Sequence, residues 1–531
     1  MRMALVGATT TLTGGKAMAA AAGGGSKGFS VVETDVAALQ AAMQRGDVTA
    51  QALVAAYLDR IAAIDQAGPR LNSVIERNPD ALQIAAALDA ERAARGPRGP
   101  LHGIPVLIKD NIATVDRMQT TAGSLALVGV RPPREAFITE CLRAAGAVIL
   151  GKTNLSEWAN FRSTRSSSGW SGRGGLSKNP YALDRNTSGS SSGSGAAIAA
   201  SLAAVAVGTE TDGSIVSPAS MCGLVGLKPT VGLVSRSGII PISASQDTAG
   251  PMARSVADAA ALLNVLAGAD ARDAVTTGAE AVRHHGIDYL QSLDANALRG
   301  ARIGVVRANF GGRNDLGSAV VEQALTVLAA QGAVLVDVEL PNNGKYGNNE
   351  TEVLLHEFKA GVNAYLAECD GPDDRVRTVA DVIAFNERHR AQELPYFGQE
   401  LLIKAHATTG LDSPEYLAAR AACLQLARSE GIDRILAEAR LDALVAPSNG
   451  PAWLTDFIRG DNGGGGFSQA AAVAGYPHVT VPAGQVAGLP VGISFVGAAW
   501  SEAKLIGLAY AYEQAARPRR APTYAASITL V

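Results

Sequence analysis

The chain has 531 residues, of which 47% are apolar and 18% charged, so it can bury a large hydrophobic core. Its 46 basic and 49 acidic residues give a formal net charge of −3, which favours neither nucleic acid nor an anionic membrane as a partner. The four cysteines are scattered singly, which predicts neither a disulfide framework nor a metal site.

The N-terminal stretch, residues 1–28, differs in composition from the rest of the chain. It combines a weakly apolar segment with a run of alanines and a Gly-Gly-Gly-Ser sequence. Two interpretations stay open: an export signal cleaved near residues 19–22, or a disordered leader. The first predicts a periplasmic or secreted protein, and otherwise we expect a cytoplasmic one. Because no later segment has about 18 uninterrupted apolar residues, we expect no membrane-spanning helix.

Ordered structure is predicted to begin near Phe29 with two helices. Thr34 or Asp35 is a suitable N-cap for the first helix, and Gly46 is a suitable end. Thr49 is a suitable N-cap for the second. Because the apolar residues of both segments recur at helical spacing, they predict two consecutive amphipathic helices.

Short apolar runs recur further along the chain, separated by longer helical patterns. The runs are residues 104–108, 147–150, 203–208, 301–306, 333–336, 443–447 and 490–495. Short apolar strands that alternate with helices are typical of an α/β protein with a buried sheet. Neither a repeat nor an interdomain linker is apparent, so we expect one large domain over residues 29–531.

A run of serines and glycines, Ser-Gly-Ser-Ser-Ser-Gly-Ser-Gly, occupies residues 188–195. Composition alone suggests a flexible linker. The run lies, however, between a Pro-Tyr-Ala-Leu-Asp sequence and an alanine-rich helical segment, and a linker is not usually enclosed by ordered flanks. A glycine-rich loop that enters a helix is a natural place for exposed backbone N–H groups. A phosphate loop is disfavoured, because the run lacks the Gly-Lys-Ser/Thr ending.

Lys109 follows the predicted strand at residues 104–108 and is the candidate base for a serine nucleophile. A serine hydroxyl is a poor nucleophile until a base removes its proton. The seven histidines lie outside the serine-containing motifs, which argues against a Ser-His-Asp triad. By itself, Lys109 could equally pair with Asp110 at the surface. Combined with the serines between residues 188 and 214, it predicts nucleophilic catalysis.

Three short segments resemble the motifs of the amidase signature family. They are Lys109 within Lys-Asp-Asn, Gly189-Ser190-Ser191, and Thr211-Asp212-Gly213-Ser214-Ile215. The separation of Ser190 from Ser214 is the one that this family uses. Further matches, which extend the resemblance over roughly residues 30–515, are Gly151–Asn154, Gly223–Thr230, Asp247–Pro251 and Gly488–Gly492.

The resemblance implies an α/β fold, a single large domain with a central mixed twisted sheet covered by helices on both faces. It also implies a serine amidohydrolase in which Ser214 attacks an amide carbonyl and forms an acyl-enzyme. Ser190, held by a cis peptide bond, would relay the proton between Ser214 and Lys109. Lys109 must be neutral to act as the base, which requires burial or a nearby positive charge. This chemistry needs no metal and no organic cofactor.

The resemblance also assigns supporting groups around these side chains. The oxyanion hole would consist of the backbone N–H groups of Thr211, Asp212, Gly213 and Ser214. Ser191 would either hydrogen-bond Lys109 or shape the cluster of serines.

The serine-rich motifs differ from the common family pattern at three positions. Ser188 and Ser192 stand where many members have glycine, and Asp212 replaces another common glycine. With these residues, the motifs look more like the bacterial peptide amidase branch than the aminoacyl-tRNA amidotransferase branch. The reaction thus implied is hydrolysis of the C-terminal amide of a peptide to the free acid and ammonia. The expected partner is a peptide or small-molecule amide substrate, neither nucleic acid nor a membrane, and the oligomeric state stays open.

Three alternative functions stay open. The substrate could be an aryl, fatty or nylon-type amide, or the chain could be the glutaminase-type subunit of a tRNA amidotransferase. A non-catalytic scaffold is the third, and the presence of Lys109, Ser190 and Ser214 argues against it. No motif defines the substrate pocket. We expect residues 340–460 to contribute to it, and the aromatic candidates there are Tyr396, Phe397 and Trp453.

Overall fold

The structure, a computed structural model, describes residues 29–311, 315–463 and 465–529. The leader predicted for residues 1–28 lies outside these ranges. Within them, no helix combines the length and the apolarity that crossing a bilayer requires.

The first two helices begin as predicted, and the first also ends as predicted. The carboxylate of Asp35 accepts a hydrogen bond from Ala38 N and caps the first helix. Gly46, in the left-handed region, ends that helix. The hydroxyl of Thr49 caps the second helix by accepting from Ala52 N.

The helices surround a central sheet. They are α1 (Val36–Arg45), α2 (Ala50–Arg60), α3 (Ala81–Arg95), α4 (Phe137–Ala144), α5 (Ser192–Ala199), α6 (Val216–Met221), α7 (Val256–Leu266), α8 (Ala279–His284), α9 (Leu316–Ala330), α10 (Gly347–Glu368), α11 (Val379–Arg388), α12 (Arg390–Glu393), α13 (Glu400–Ala407), α14 (Pro414–Ala427), α15 (Asp433–Ala439), α16 (Gln469–Ala474) and α17 (Glu502–Ala516). Short 3₁₀ or π-helical turns occupy Ile61–Asp65, Leu125–Leu127, Glu157–Asn160, Ala274–Thr277, Tyr289–Ser292, Arg307–Asn309 and Arg428–Ile432.

The strands form one large sheet and one small hairpin. They are β1 (Val74–Arg77), β2 (Pro105–Lys109), β3 (Val148–Thr153), β4 (Trp170–Ser171), β5 (Gly175–Leu176), β6 (Val205–Glu210), β7 (Val225–Lys228), β8 (Thr248–Ala253), β9 (Arg302–Val306), β10 (Val334–Val338), β11 (Ala443–Pro447), β12 (His478–Val486) and β13 (Leu489–Val496). The large sheet has 11 strands in the order β1-β3-β2-β6-β8-β7-β12-β13-β11-β9-β10, and β4 pairs with β5.

The large sheet is mixed, which confirms the predicted fold class. Strand β2 runs parallel to β3 and β6, and β9 runs parallel to β10 and β11. The other neighbouring pairs are antiparallel. Each apolar run identified in the sequence lies wholly or partly within a strand of this sheet.

Four strands of the sheet, β1, β7, β8 and β12, escaped prediction. Strand β8 contains Gly250 and Pro251, which disfavour a strand by local propensity. It forms nonetheless because β6 and β7 flank it and hydrogen-bond to it on both sides. Tertiary pairing therefore overrides the local signal here.

Parallel pairing brings the predicted site residues to one edge of the sheet. Strands β2 and β6 are neighbours, with Ile108 opposite Val207. Because parallel strands end at the same edge, Lys109 at the end of β2 lies beside the end of β6. The glycine and serine run is ordered, and it leads into α5, which packs on β6. Gly193 is required there, since a Cβ atom would lie 2.3 Å from the carbonyl oxygen of Ser73.

Candidate active site

Lys109 is fully buried, and its amine makes three hydrogen bonds. The Nζ atom lies 2.8 Å from Ser190 Oγ, 2.9 Å from Thr209 Oγ1 and 3.2 Å from the Thr209 carbonyl oxygen. Thr209 belongs to β6, and Ser190 belongs to the serine run. The structure therefore brings Lys109 and Ser190 into direct contact.

Burial favours the neutral form of this lysine. It lowers the pKa of Lys109 to about 7, against the attraction of the nearby Asp247 and Glu210. A neutral amine has two N–H groups and one lone pair. The two N–H groups can donate to the oxygens of Thr209, and the lone pair is then free to accept the hydroxyl proton of Ser190.

Ser190 and Ser214 lie on two segments that the backbone holds together. The peptide bond between Gly189 and Ser190 is cis. Ser191 N donates to the carbonyl oxygen of Ser214 at 3.1 Å, so the serine run and the residues after β6 are joined. Among the hydrogen bonds of the described residues, none links the two hydroxyls of Ser190 and Ser214. Such catalytic contacts often tighten only when substrate binds.

Ser191 supports the cluster without touching the lysine. Its hydroxyl donates to the Thr209 carbonyl oxygen at 3.0 Å and accepts from Thr209 N at 3.2 Å. Of the two roles predicted for Ser191, the structure contains the shaping contact and lacks a hydrogen bond to Lys109. Ser191 thus holds the end of β6, where Lys109 finds its other partners.

Residues Thr211–Ser214, which we call the oxyanion loop, carry four consecutive N–H groups. None of these four donates a hydrogen bond to another group in the described part of the chain. The next two N–H groups, of Ile215 and Val216, donate to Glu210 Oε2 at 2.7 and 3.0 Å. Because Glu210 satisfies the amides that begin α6, the donors before them remain available to a ligand oxygen.

Asp247 holds the oxyanion loop from the side of β8. It accepts from Thr211 Oγ1 at 2.6 Å, and its other oxygen accepts from Ile242 N at 2.8 Å and Ser243 N at 2.9 Å. Burial raises the pKa of Asp247 to about 6, although these hydrogen bonds oppose the shift. Asp247 is not among the site residues predicted from the sequence; its place in the Asp247–Pro251 match was the available signal.

Two further residues at the site were missed by the sequence analysis. Thr209 is a hydrogen-bond partner of the lysine amine, and Asn111 Nδ2 donates to Thr209 Oγ1 at 3.0 Å. Asn111 lies within the Lys-Asp-Asn motif, which was a signal for it. No sequence motif indicated Thr209, because its contact with the lysine amine depends on the pairing of β2 with β6.

A cavity of about 400 Å³ adjoins this cluster. Asn111, Thr209 and Thr211 line it on the side of the lysine and the oxyanion loop. The apolar part of its wall includes Ile239, Ile240, Pro241, Ile242, Ala360 and Gly361. A pocket of this size with an apolar wall and a few polar groups at one end is typical of a small-molecule site.

Each charged side chain of the cavity wall has an ion-pair or hydrogen-bond partner. Arg236 pairs with Asp273 at 2.6 Å, and Arg272 pairs with Glu140 at 2.8 Å. Glu357 accepts hydrogen bonds from two serine hydroxyls and a tyrosine hydroxyl. The arginines of the wall are therefore ion-paired, whereas the carboxylates of Glu357 and Asp247 are held by hydrogen bonds from neutral donors.

The three aromatic candidates of the sequence analysis do not line this cavity. Tyr396 stacks on Phe457, with ring centroids 3.9 Å apart. Phe397 packs against the guanidinium group of Arg162, 4.1 Å from its ring centroid. The region 340–460 does contribute to the wall, but through α10 and Leu411. Aromatic residues were a poor guide because they serve here in packing.

The histidines lie apart from the lysine and serine cluster. None of the seven histidines hydrogen-bonds to Lys109, Ser190 or Ser214. His478 is buried within the sheet, 2.6 Å from Ser494 Oγ, and burial lowers its pKa to about 3. Within the same part of the chain, no group of three or more His, Cys, Asp or Glu could hold a metal ion.

Comparison with known proteins identifies the family. Residues 52–506 match the family model described as Amidase. The chain belongs to the amidase signature family. It is an amidase, an enzyme that hydrolyses the carbon–nitrogen bond of amides.

The amidase is similar to several known proteins over nearly its whole length. It superposes on the peptide amidase of Stenotrophomonas maltophilia with a TM-score of 0.87 and 57% identity, covering 92% of this chain and 98% of that one. A probable amidase of Arabidopsis thaliana is 42% identical over 511 residues, 94% of this chain and 93% of the relative. One of the subunits of the glutamyl-tRNA(Gln) amidotransferase of Thermosynechococcus vestitus is 37% identical over 488 residues, 88% and 95% of the two chains.

Proposed function

We propose that this amidase hydrolyses the C-terminal amide of peptides to the free acid and ammonia, with Ser214, Ser190 and Lys109 as the catalytic triad. The observation that carries the triad is the buried lysine amine 2.8 Å from Ser190 Oγ, next to the oxyanion loop. The similarity to a peptide amidase at 57% identity supports the substrate.

The proposed reaction begins with proton transfer along the triad. Ser190 gives its hydroxyl proton to the neutral amine of Lys109 and takes the proton of Ser214. Ser214 Oγ then forms a bond to the amide carbonyl carbon, and the carbonyl oxygen becomes an oxyanion. Backbone N–H groups of the oxyanion loop, Ser214 included, stabilise this charge.

Collapse of the tetrahedral intermediate breaks the carbon–nitrogen bond. The proton held by Lys109 returns through Ser190 to the leaving nitrogen, so ammonia departs and an acyl-enzyme remains. Water then attacks the ester carbon and gives a proton to the same relay. The bond between the acyl carbon and Ser214 Oγ breaks, the relay returns the proton to Ser214 Oγ, and the peptide acid departs. Charge and protons balance without any further group.

The cavity beside the oxyanion loop supports a neutral substrate. Free glutamine carries an ammonium and a carboxylate, and burying either ion without a partner costs far more than the roughly 2–7 kcal/mol of an unpaired neutral polar group. The two arginines in the wall are already ion-paired, so neither is free to pair with the carboxylate of glutamine. A peptide amide, whose flanking groups are neutral amides, fits this wall better than glutamine does. The apolar part of the wall also fits an aryl amide, which is the second candidate substrate.

One assay separates these substrates. Ammonia release is measured from an N-acetylated dipeptide amide, beside free glutamine, an aryl amide and a long-chain fatty amide. Release from the dipeptide amide with its internal bond intact is the expected result. Turnover of only glutamine, or of only an aryl or fatty amide, would contradict the proposed substrate while keeping an active amidase.

The nucleophile is tested with the same assay. Ser214→Ala removes the only group proposed to form the acyl-enzyme, so turnover should fall by about 10⁶-fold, to background. Thermal unfolding of the variant should match the wild type. Burst-phase trapping of an acyl-enzyme in the wild type, absent in Ser214→Ala, is the matched observation; acylation at another residue would refute the assignment.

A further inference from the structure

Behind the oxyanion loop lies a buried glutamine that the proposed chemistry does not use. Gln246 is only 2% exposed and lies just before β8. Its Nε2 donates to the carbonyl oxygen of Thr211 at 3.3 Å and to Glu350 Oε1 at 2.9 Å. One side-chain amide therefore connects the oxyanion loop to α10.

The hydrogen bond from Gln246 to the Thr211 carbonyl oxygen also affects the N–H group at the other end of the same peptide unit. The peptide unit between Thr211 and Asp212 is trans, so its C=O and N–H point in opposite directions. Gln246 binds the C=O, and the N–H of Asp212 has no acceptor within the described residues. Holding the carbonyl on one face fixes the direction in which this N–H points from the other.

The Thr211 carbonyl oxygen and Glu350 both contact the amide nitrogen of Gln246. A carbonyl oxygen accepts and cannot donate, so Nε2, and not the amide oxygen of Gln246, must face Thr211. The same nitrogen donates to Glu350 Oε1, a carboxyl group whose pKa is raised to about 8 by burial and by the nearby Asp212. Glu350 is 5% exposed, and its second oxygen accepts from Gln469 Nε2 at 2.7 Å. Both carboxylate oxygens are thus engaged by glutamine side chains.

A second contact ties the same segment to α10. Glu357, two helical turns after Glu350, accepts from Ser243 Oγ and Ser245 Oγ, each at 2.5 Å. Gln246 directly follows these serines in the chain. The segment that carries Gln246 is therefore held at both carboxylates of one helix, which limits the positions available to its side chain.

We propose that Gln246 and Glu350 are positioning residues of the oxyanion hole: Glu350 orients the amide of Gln246, and Gln246 turns the Thr211–Asp212 peptide unit toward the developing oxyanion. This inference rests on the proposed function, because it presumes that the oxyanion loop receives that charge. Neither side chain touches the substrate. Their effect is on the transition state, since a misdirected N–H loses little in the ground state.

The test removes the donor and the acceptor separately. Gln246→Met keeps the length of the side chain and removes its hydrogen bonds, and Glu350→Met does the same for the carboxylate. Glu350→Gln is the conservative variant, because its amide oxygen can still accept from Gln246. Glu352→Met is the matched control on the same helix; that carboxylate is partly exposed, and within the described part of the chain it bonds His356 alone.

Four quantities are measured for each variant: kcat, KM, inhibition by a peptide aldehyde and thermal unfolding. An aldehyde forms a hemiacetal with the serine, and its oxygen occupies the position of the oxyanion. In Gln246→Met and Glu350→Met we expect kcat to fall about ten-fold or more and aldehyde inhibition to weaken by a similar factor, with KM within about two-fold. Glu350→Gln should recover most of the lost kcat, and Glu352→Met should resemble the wild type.

Two results would overturn the inference. One is a folded Gln246→Met whose kcat and aldehyde inhibition stay within about two-fold of the wild type. The other is a loss that appears in KM and in thermal unfolding, with no weakening of aldehyde inhibition. If Glu350→Met does not fold, the inference is tested with the kcat and aldehyde inhibition of Gln246→Met and Glu350→Gln. The wild type serves as the separate test of the proposed function: turnover of no amide refutes that function, whereas an active wild type with an unaffected Gln246→Met refutes only the positioning role.

Discussion

The chemistry proposed for this amidase depends on a lysine that loses its proton near neutral pH. An exposed lysine has a pKa near 10.4 and is charged at pH 7. Lys109 is enclosed at the end of β2, and burial lowers its pKa to about 7. The carboxylates of Asp247 and Glu210 oppose that shift, so burial outweighs them. Burial thus makes an amine that would be charged at the surface available as a base.

The pH dependence of kcat/KM follows from this pKa. Because the neutral form is active, kcat/KM should be level above pH 7 and fall about ten-fold for each pH unit below it. The measurement is a pH profile from about 5 to 9 with the dipeptide amide. Lys109→Ala should lower kcat by about 10²–10⁴-fold and abolish this profile. A wild-type profile that is flat down to pH 4 would contradict a lysine base.

Two adjacent serines offer a matched comparison of roles. Ser190 contacts the lysine amine, whereas the hydroxyl of Ser191 bonds only the backbone of Thr209. Ser190→Ala should therefore lower kcat by about 10²–10⁴-fold with little change in stability. Ser191→Ala should lower the free energy of unfolding by about 1–3 kcal/mol and affect kcat far less. Denaturant unfolding and kcat are measured for both, and equal losses of kcat would contradict the division.

At the scale of elements, the oxyanion loop is shaped by the strand before it and the helix after it. Glu210 ends β6 and satisfies the first amides of α6, so the N–H groups between them remain unbonded within the described chain. Gly213 has φ +75, and a Cβ atom there would lie 3.0 Å from Ser468 Oγ. The tight course of this loop therefore requires glycine.

Gly213→Ala tests the shape of the loop. The left-handed conformation costs a non-glycine residue about 1–2 kcal/mol, and the contact with Ser468 adds to it. Gly46→Ala is the control, because Gly46 has φ +78 and open space around its Cβ position. Gly46→Ala should lower the free energy of unfolding by about 1–2 kcal/mol, and Gly213→Ala should lower it further. Only Gly213→Ala should lower kcat, by about ten-fold or more; an equal kcat in the two variants would contradict the requirement.

At the scale of the whole molecule, a buried ionic cluster joins the segment after β3 to the region 340–460. Arg162 Nη1 lies 2.5 Å from Glu157 Oε1 and donates to the Glu393 carbonyl oxygen at 2.7 Å. The Glu393 carboxylate is 3.6 Å from the same nitrogen. All three side chains are fully buried. This cluster links α12 to the segment that precedes the serine run.

Arg162→Ala should destabilise the protein strongly, because it leaves two buried carboxyl groups without their cation. We expect a loss of about 3–5 kcal/mol in the free energy of unfolding. The control is Arg434→Ala, which breaks an exposed pair with Glu438 and should cost about 0.5 kcal/mol or less. Urea unfolding measures both. Similar losses in the two variants would show that the buried cluster is not a stabilising link.

Much of the fold and of the site was readable from local sequence. The caps at Asp35 and Thr49, the apolar strand runs and the contact of Lys109 with Ser190 agree with the structure. Strand β8 was missed because its glycine and proline have low strand propensity. It forms through its pairing with the neighbouring strands β6 and β7. The aromatic candidates for the pocket were wrong for the cavity found here, since their side chains are used in packing.

The sequence by itself determined the family, the candidate nucleophile and base, and the layered α/β architecture. These follow from contiguous motifs and periodicities, each of which lies within a few residues of chain. Only the tertiary structure decided the pKa of Lys109, the role of Thr209 and the link from Gln246 to Glu350. Those properties depend on burial and on contacts between segments about a hundred residues apart, which no local pattern contains.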